Sequence, residues 1–252
     1  MSAKILFLDI ETAPHKVYSW GLWDQNIATN QIEEPGYTLC WAAKWKGQRD
    51  ILFNSVQEHT AKQMLRGIHV LLHMADIVVH YNGTKFDIPT LNHEFVQHGF
   101  RPPAPYKHVD LLKTARRRFR LASNKMDYVA KHLGLKGKLP NKGMDLWRGC
   151  MAGDPKAWAE MRRYNIQDVR LLEQIYEALL PWIPGHPNMG LWKPDDGRPV
   201  CTHCGSARVK KQGVARTKTL LYQQYSCLDC GAWMRDKTSA KPRLKGLVEH
   251  GG

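Results

Sequence analysis

The chain has 252 residues; 43% are apolar and 24% charged, and Lys plus Arg number 37 against 23 Asp plus Glu. Those proportions are ordinary for a globular protein and argue against a disordered chain, a collagen or a coiled coil. No run approaches the ~20 apolar residues that span a bilayer, and a formal charge of +14 points to a polyanionic partner, nucleic acid before an anionic membrane face.

The opening stretch, Met1 to Asp9, has one lysine and a short apolar run broken by an acid. It reads as a strand rather than a signal peptide, so a cytoplasmic location is expected. Residues 4–10 are continuously apolar up to the acid and predict a buried strand. A polar loop to about Gly36 follows, in which Trp20 and Trp23 are read as covering core, with stacking on a strand end as the alternative. Residues 38–46 predict a second strand, with Leu39, Trp41, Ala43 and Trp45 on one face. Residues 49–54 predict a third, paired with it as a hairpin. Met64, Leu65, Ile68, Leu71 and Leu72 have helical spacing and predict a helix over 61–74. His69 and His73 on that helix are read as packing residues. Residues 76–80 predict a strand and 86–98 a helix with Pro89 in its first turn, where proline is tolerated. Arg101 to Pro105 is a rigid connector. Residues 107–109 add a strand, and 110–120 and 125–133 predict helices, with Asp110 read as an N-cap. Asp154-Pro155 caps and starts a helix that reaches about Leu179. Strands followed by strand–helix alternation predict an α/β domain with a mixed sheet over residues 1–180. A Pro/Gly-rich linker is expected over 181–199, then a small cysteine-containing module over 200–236 and a basic tail over 237–252.

The charge is uneven. Residues 1–106 and 144–192 are each at −1, whereas 107–143 carry +9 and 193–252 carry +7. Two basic blocks of that strength in a small chain favour nucleic acid over a merely solvated face. Arg116, Arg117, Arg118 and Lys125 in the first block are read as a phosphate-tracking surface.

Three acidic elements lie outside those blocks. Asp9 and Glu11, at i and i+2 on a strand, point to one face; they are either a surface pair at a strand end or ligands of a divalent cation with hard oxygen donors, Mg2+ or Mn2+. His80 to Pro89 runs from a strand through an Asn-Gly turn to Asp87, which is either a cap or a ligand. Tyr164 and Asp168, at i and i+4, share a helix face that Leu171, Leu172 and Ile175 turn inward.

In this order, Asp9-x-Glu11, Tyr81-Asn82-x-x-x-Phe86-Asp87 and Tyr164-x-x-x-Asp168 resemble the three motifs of 3′–5′ exonucleases with four acidic metal ligands, of the ribonuclease H-like superfamily. Arg163 stands where the histidine subclass carries its His, so the tyrosine subclass fits, and the second motif looks most like the proofreading domain of family B DNA polymerases. The resemblance covers residues 4–179. It implies a mixed sheet flanked by helices and two Mg2+ or Mn2+ ions held by Asp9, Glu11, Asp87 and Asp168. It also implies a water oriented by Tyr164, and release of nucleoside 5′-monophosphates from single-stranded DNA 3′ ends. Asn82 and Phe86 would lie beside the terminal nucleotide; their own residue types read equally as turn former and core residue. A polymerase domain does not fit in 252 residues, so the expected setting is DNA repair or recombination in a bacterium or phage-infected cell, alongside replication or recombination proteins. An RNA exonuclease, a structure-selective endonuclease or a non-catalytic nucleic-acid-binding protein are the alternatives.

Of six cysteines, Cys40 and Cys150 are isolated and read as inert. The others form Cys201-Thr-His-Cys204-Gly and, after 22 residues, Cys227-Leu-Asp-Cys230-Gly. Two such knuckles predict one four-thiolate structural Zn2+, with His203 a bystander, and the segment resembles a zinc ribbon. Lys210 and Lys211, among other basic residues between the knuckles, are read as nucleic-acid contacts.

Overall fold

The computed structural model describes residues 2–240; residues 241–252, most of the expected basic tail, lie outside the described residues. The chain divides into two compact units, Lys4–Tyr176 and a smaller one from Glu177 onward.

The larger unit is built on a five-stranded mixed sheet in the order β5-β4-β1-β6-β7. Its strands are β1 (Ile5–Thr12), β4 (Thr38–Trp45), β5 (Leu52–Ser55), β6 (Ile77–His80) and β7 (Lys107–Asp110). β1 pairs antiparallel with β4 and parallel with β6, and β6 runs parallel to β7. A central strand has both faces covered, which is why residues 5–8 are apolar without alternation. Leu6, Leu8 and Ile10 pack on one layer with α1 (Ala61–Met74) and α2 (Asp87–Gln97). Phe7 faces the other layer, edge-on to Tyr176 at 5.4 Å. Strand period 2 puts Asp9 and Glu11 on the Phe7 side.

The second layer is α6 (Pro155–Leu179). Its buried residues, Ala157, Trp158, Met161, Tyr164, Asn165, Asp168, Val169, Leu171, Leu172, Ile175, Tyr176 and Leu179, recur at the spacing of a single helix face. Trp158, Met161 and Tyr164 pack with Leu39, Cys40, Leu146 and Cys150. Leu39 was expected beside Trp41, but it belongs to this opposite layer. Glu11 pairs with Cys40 and Thr12 with Thr38, leaving Leu39 as the extra residue of a bulge, and one added residue turns a side chain to the other face.

The expected helices appear as α1, α2, α3 (Leu111–Arg118), α4 (Met126–His132) and α6. Asp110 caps α3 by accepting from Leu112 N at 3.1 Å. His69 and His73 pack, with ring nitrogens hydrogen-bonded to Arg101 O and Ala104 N. Two features go beyond the sequence reading: α5 (Met144–Met151), and a short ladder of β2 (Lys16–Val17) with β3 (Ile32–Glu34) inside the region read as loop. That ladder overturns the core reading of Trp20 and Trp23, since both are exposed in the loop it closes.

The smaller unit contains 3-10 turns at Leu180–Trp182 and Met189–Trp192, within the stretch read as linker, and a three-stranded sheet ordered β10-β9-β8. These strands are β8 (Val209–Arg216), β9 (Leu221–Cys227) and β10 (Trp233–Arg235). No helix among the described residues is long and apolar enough to cross a membrane.

Candidate functional site

β1 delivers Asp9 and Glu11 to the sheet face that α6 covers, and α6 delivers Asp168 opposite them. Carboxylate oxygens of Asp9, Glu11 and Asp168 all lie within 4.8 Å of one another. Asp87, the first residue of α2, is not in that group. Its Oδ1 accepts from Ile10 N at 3.2 Å, so it is tied to the strand between the other two acids. α2 starts without a side-chain cap at its N-cap residue, so the Asp87 carboxylate is directed to β1 rather than to capping its own helix.

Gathering four acids costs free energy unless a positive charge sits among them, and their titration reflects this. Burial raises Asp9 well above the usual carboxylate range, and the charges of Glu11, Asp168 and Asp87 add to the rise. Burial lifts Glu11 to about 8 and Asp87 to about 7. Asp168 is raised by burial too, opposed by Lys138.

Lys138 is the residue that sequence reasoning left among the general basic block. Its Nζ is ion-paired with Asp168 and donates to Tyr164 Oη at 3.1 Å. Burial lowers its pKa, but Asp168, Asp9 and Tyr164 more than reverse that. The loop bearing it is pinned, because Lys138 N donates to Asp127 Oδ1 at 2.8 Å. Gly137 makes that approach possible; a Cβ there would lie 2.2 Å from Asp127 Oδ1. No sequence signal separates Lys138 from its basic neighbours.

Asn165 is the second unforeseen member. Fully buried, it donates through Nδ2 to Asp9 Oδ2 at 2.7 Å. Its position held a usable signal: Asn is a poor residue for a helix interior and usually stays there only for a bond elsewhere. Tyr164 is buried beside Asp168, and burial pushes its phenol up to about 12. Asp168 Oδ1 is buried with no hydrogen-bond partner.

The second motif is held from behind. Asp110 accepts from Asn82 N at 3.0 Å and Thr84 Oγ1 at 2.7 Å. Asn82 sits at φ +70, a conformation Asn tolerates better than most residues. His80 is wholly buried, and burial lowers it to about 4. Its Nδ1 therefore accepts from Gly83 N at 3.1 Å, which fixes the turn.

Tyr81, Asn82, Arg116, Lys125 and Lys138 line one cleft of about 560 Å³. Arg117 and Arg118 are exposed on α3 and do not line it. Half-exposed Phe86 lines another cleft of about 360 Å³ with Thr12, His15 and Tyr37.

In the smaller unit Cys201, Cys204, Cys227 and Cys230 converge, with Sγ separations of 3.5 Å (Cys201 to Cys230) and 3.6 Å (Cys204 to Cys227). A tetrahedral zinc with ~2.3 Å bonds needs edges of ~3.8 Å, so the four thiols could hold one metal ion. Burial pushes Cys204 up to about 11, a cost that a bound cation would remove. His203 spends both ring nitrogens, on Thr202 Oγ1 and Ile183 O, consistent with a bystander. Lys210 and Lys211 are exposed on β8. Tyr225 is buried, and Arg235 stacks on Tyr222 at 4.0 Å.

A mixed sheet with acids at the end of its central strand, answered by an acid on the covering helix, defines a ribonuclease H-like α/β protein. The family model RNase_H_2, of the RNase H superfamily, matches residues 6–180, and the chain belongs to that superfamily. Its fold is similar to the family B DNA polymerase from the hyperthermophilic archaeon Pyrobaculum calidifontis. The TM-score is 0.54 and the identity 19%, over 71% of this chain and 25% of the polymerase chain. This chain thus spans a quarter of that protein, and the likeness concerns the fold. No curated protein matches the sequence. Superfamily membership and the acidic cluster together support nuclease activity in general.

Proposed function

We propose that the chain is a divalent-metal-dependent 3′–5′ exonuclease acting on single-stranded DNA ends. The observation that carries the reading is the cluster of Asp9, Glu11 and Asp168, in which one buried Asp168 oxygen has no protein partner. An orphaned buried carboxylate oxygen among raised carboxyls is what a cation-binding site looks like without its cation. All-oxygen donors suit Mg2+ or Mn2+. Asp9, Glu11 and Asp168 would hold the metal, with Asp87 completing the set for a second ion. When bound, the cations lower the pKa of water and neutralise charge developing on phosphorus.

The chain's own residues supply the rest. Asn165 keeps one Asp9 oxygen fixed through its 2.7 Å bond. Lys138 donates to Tyr164 Oη and the phenol in turn hydrogen-bonds Asp168, which would fix the hydroxyl where it can orient the attacking water. With its pKa at about 12, Tyr164 stays protonated and is a donor, not a base. Lys138 also offers a positive charge to the phosphate. Water adds to the terminal phosphorus and the 3′ oxygen of the preceding nucleotide leaves. The products are a nucleoside 5′-monophosphate and a strand one residue shorter with a free 3′ hydroxyl. Asn82 and Phe86 would flank the terminal nucleotide, and Arg116, Arg117, Arg118 and Lys125 would guide the phosphates behind it. Zn2+ in the four-cysteine site would be structural, and Lys210 and Lys211 would add electrostatic grip.

Incubating 5′-labelled DNA and RNA oligonucleotides with Mn2+ or with EDTA tests the proposal. A metal-dependent ladder on DNA is expected. An RNA-only ladder or internal cuts would replace it with the corresponding nuclease, and intact retarded strands would leave only a binding protein.

A further inference from the structure

Between Thr12 and Thr38 the chain leaves the sheet as a closed arm. β2 and β3 pair Lys16 with Glu34 and Val17 with Ile32, and a Lys16–Glu34 ion pair of 2.7 Å clasps the base. Farther out, Tyr18 N donates to Gln31 O at 2.9 Å, and Gln31 Nε2 donates back to Tyr18 O at 2.9 Å. Ser19 Oγ bonds Gly21 O at 2.6 Å, and Gln25 Nε2 bonds Trp23 O at 2.8 Å. On this tied frame Trp20 is 98% exposed, Leu22 92% and Trp23 82%. Holding two indoles in water on an internally bonded loop forgoes the gain of burying them, and nothing in the core of this unit uses them.

We infer that residues 18–31 form a base-stacking arm, on which Trp20 and Trp23 take unpaired bases of the strand whose end occupies the acidic site. The inference rests on the nuclease reading for the identity of that strand. Two observations select nucleic acid as the occupant. The first is continuity. The arm springs from the strand that carries Asp9 and Glu11, and Lys16 is four residues past Thr12, hence within about 14 Å of it. One cleft is lined both by Thr12 and Phe86, neighbours in sequence of Glu11 and Asp87, and by His15, Pro35 and Gly36 from the base of the arm. The second is chemistry. The tip offers two indole faces flanking Leu22, among Ser19, Gln25, Asn26 and Asn30, and flat aromatic faces in a polar setting are what unpaired bases stack on. Asp24, Glu33 and Glu34 outnumber Lys16 around the arm, so whatever it adds to binding comes from bases and not from phosphate contacts. Its contribution to binding is therefore separable by salt from that of the basic blocks.

The test measures affinity of the zinc-loaded full chain for a fluorescent dT12, with neither Mg2+ nor Mn2+ added, over a range of salt. Trp20→Ala with Trp23→Ala is expected to weaken binding about tenfold or more, from stacking lost at two positions. The slope of log affinity against log salt should not change, since no phosphate contact is lost. Trp20→Phe with Trp23→Phe should restore most of the affinity, which separates stacking from a folding defect. Unchanged affinity, a flattened salt slope, or no rescue by phenylalanine would each overturn the arm. So would a wild-type dimer that the alanine pair dissociates, because the tip would then be covered by a second copy. Hydrolysis of thymidine 5′-monophosphate p-nitrophenyl ester by the unaltered chain, with Mn2+, judges the nuclease reading separately; the affinity ratio measured without Mg2+ or Mn2+ judges the arm.

Discussion

The two units handle concentrated ionisable groups in opposite ways. In Lys4–Tyr176 the acids sit on a frame that does not need them: Leu6, Leu8, Ile10, Leu65, Ile68, Leu72, Leu91 and Phe95 form a continuous apolar layer on the other side of the sheet. At ~1.5–3 kcal/mol for each large side chain buried, that layer can carry a destabilised site. In the smaller unit the buried cluster around the knuckles is Cys201, Cys227 and Ala232, with Cys204, Val209, Cys230 and Met234 against it. There the ligands are the core. The lesson is that cation removal should silence one unit while leaving it folded, and unfold the other.

The largest expected effect breaks that comparison directly. Asp168→Ala or Asp9→Ala should lower nuclease turnover by about 10³-fold or more, beyond the loss typical of one electrostatic group, while thermal denaturation shows an unchanged or raised midpoint. A collapse of the midpoint would mean the acids hold the fold. Next, Tyr164→Phe and Asn165→Ala should each cost about 10–100-fold, as groups that orient ligands or water do. For Asn165→Ala, Mn2+ affinity measured by calorimetry should fall as well. Cys227→Ser should then disorder the β8–β9 hairpin in NMR spectra and, by removing a nucleic-acid contact surface, weaken DNA binding about tenfold with a shallower salt slope. Hydrolysis of the small thymidylate ester should persist.

The smallest effect is on pH. Glu11 and Asp87 ionise near 4.5 and 3.8 in the unfolded chain but near 8 and 7 when folded. Between those limits the folded state binds more protons, so stability present at low pH is lost as pH rises through the folded values. In EDTA the melting midpoint should fall from about pH 5 to about pH 8, by ~2–4 °C for each kcal/mol lost. Glu11→Gln or added Mn2+ should flatten the decline. A midpoint that rises over this range would show the acids to be satisfied without a cation.

Much of this was legible in residue order. The run before Asp9 could only be a buried strand, and period 2 put Asp9 and Glu11 together. Tyr164 and Asp168 followed from helical spacing, and the paired Cys-x-x-Cys knuckles from ligand arithmetic. Other features were not legible. α5 is short and weakly patterned. The β2–β3 ladder pairs two- and three-residue strands across a long loop. Leu39 changed sides because of a bulge that only the register with β1 reveals.

The sequence by itself determined which residue types could carry the chemistry, because strand and helix periods are local and fix which neighbours share a face. Tertiary structure decided which of them meet. Lys138 became the partner of Asp168, Asn165 the support of Asp9, and Trp20 and Trp23 exposed rather than buried. Those outcomes depend on contacts between residues far apart in the chain. Lys138 is 30 residues from Asp168 and Asn165 is 156 from Asp9, and no local rule reaches across such separations.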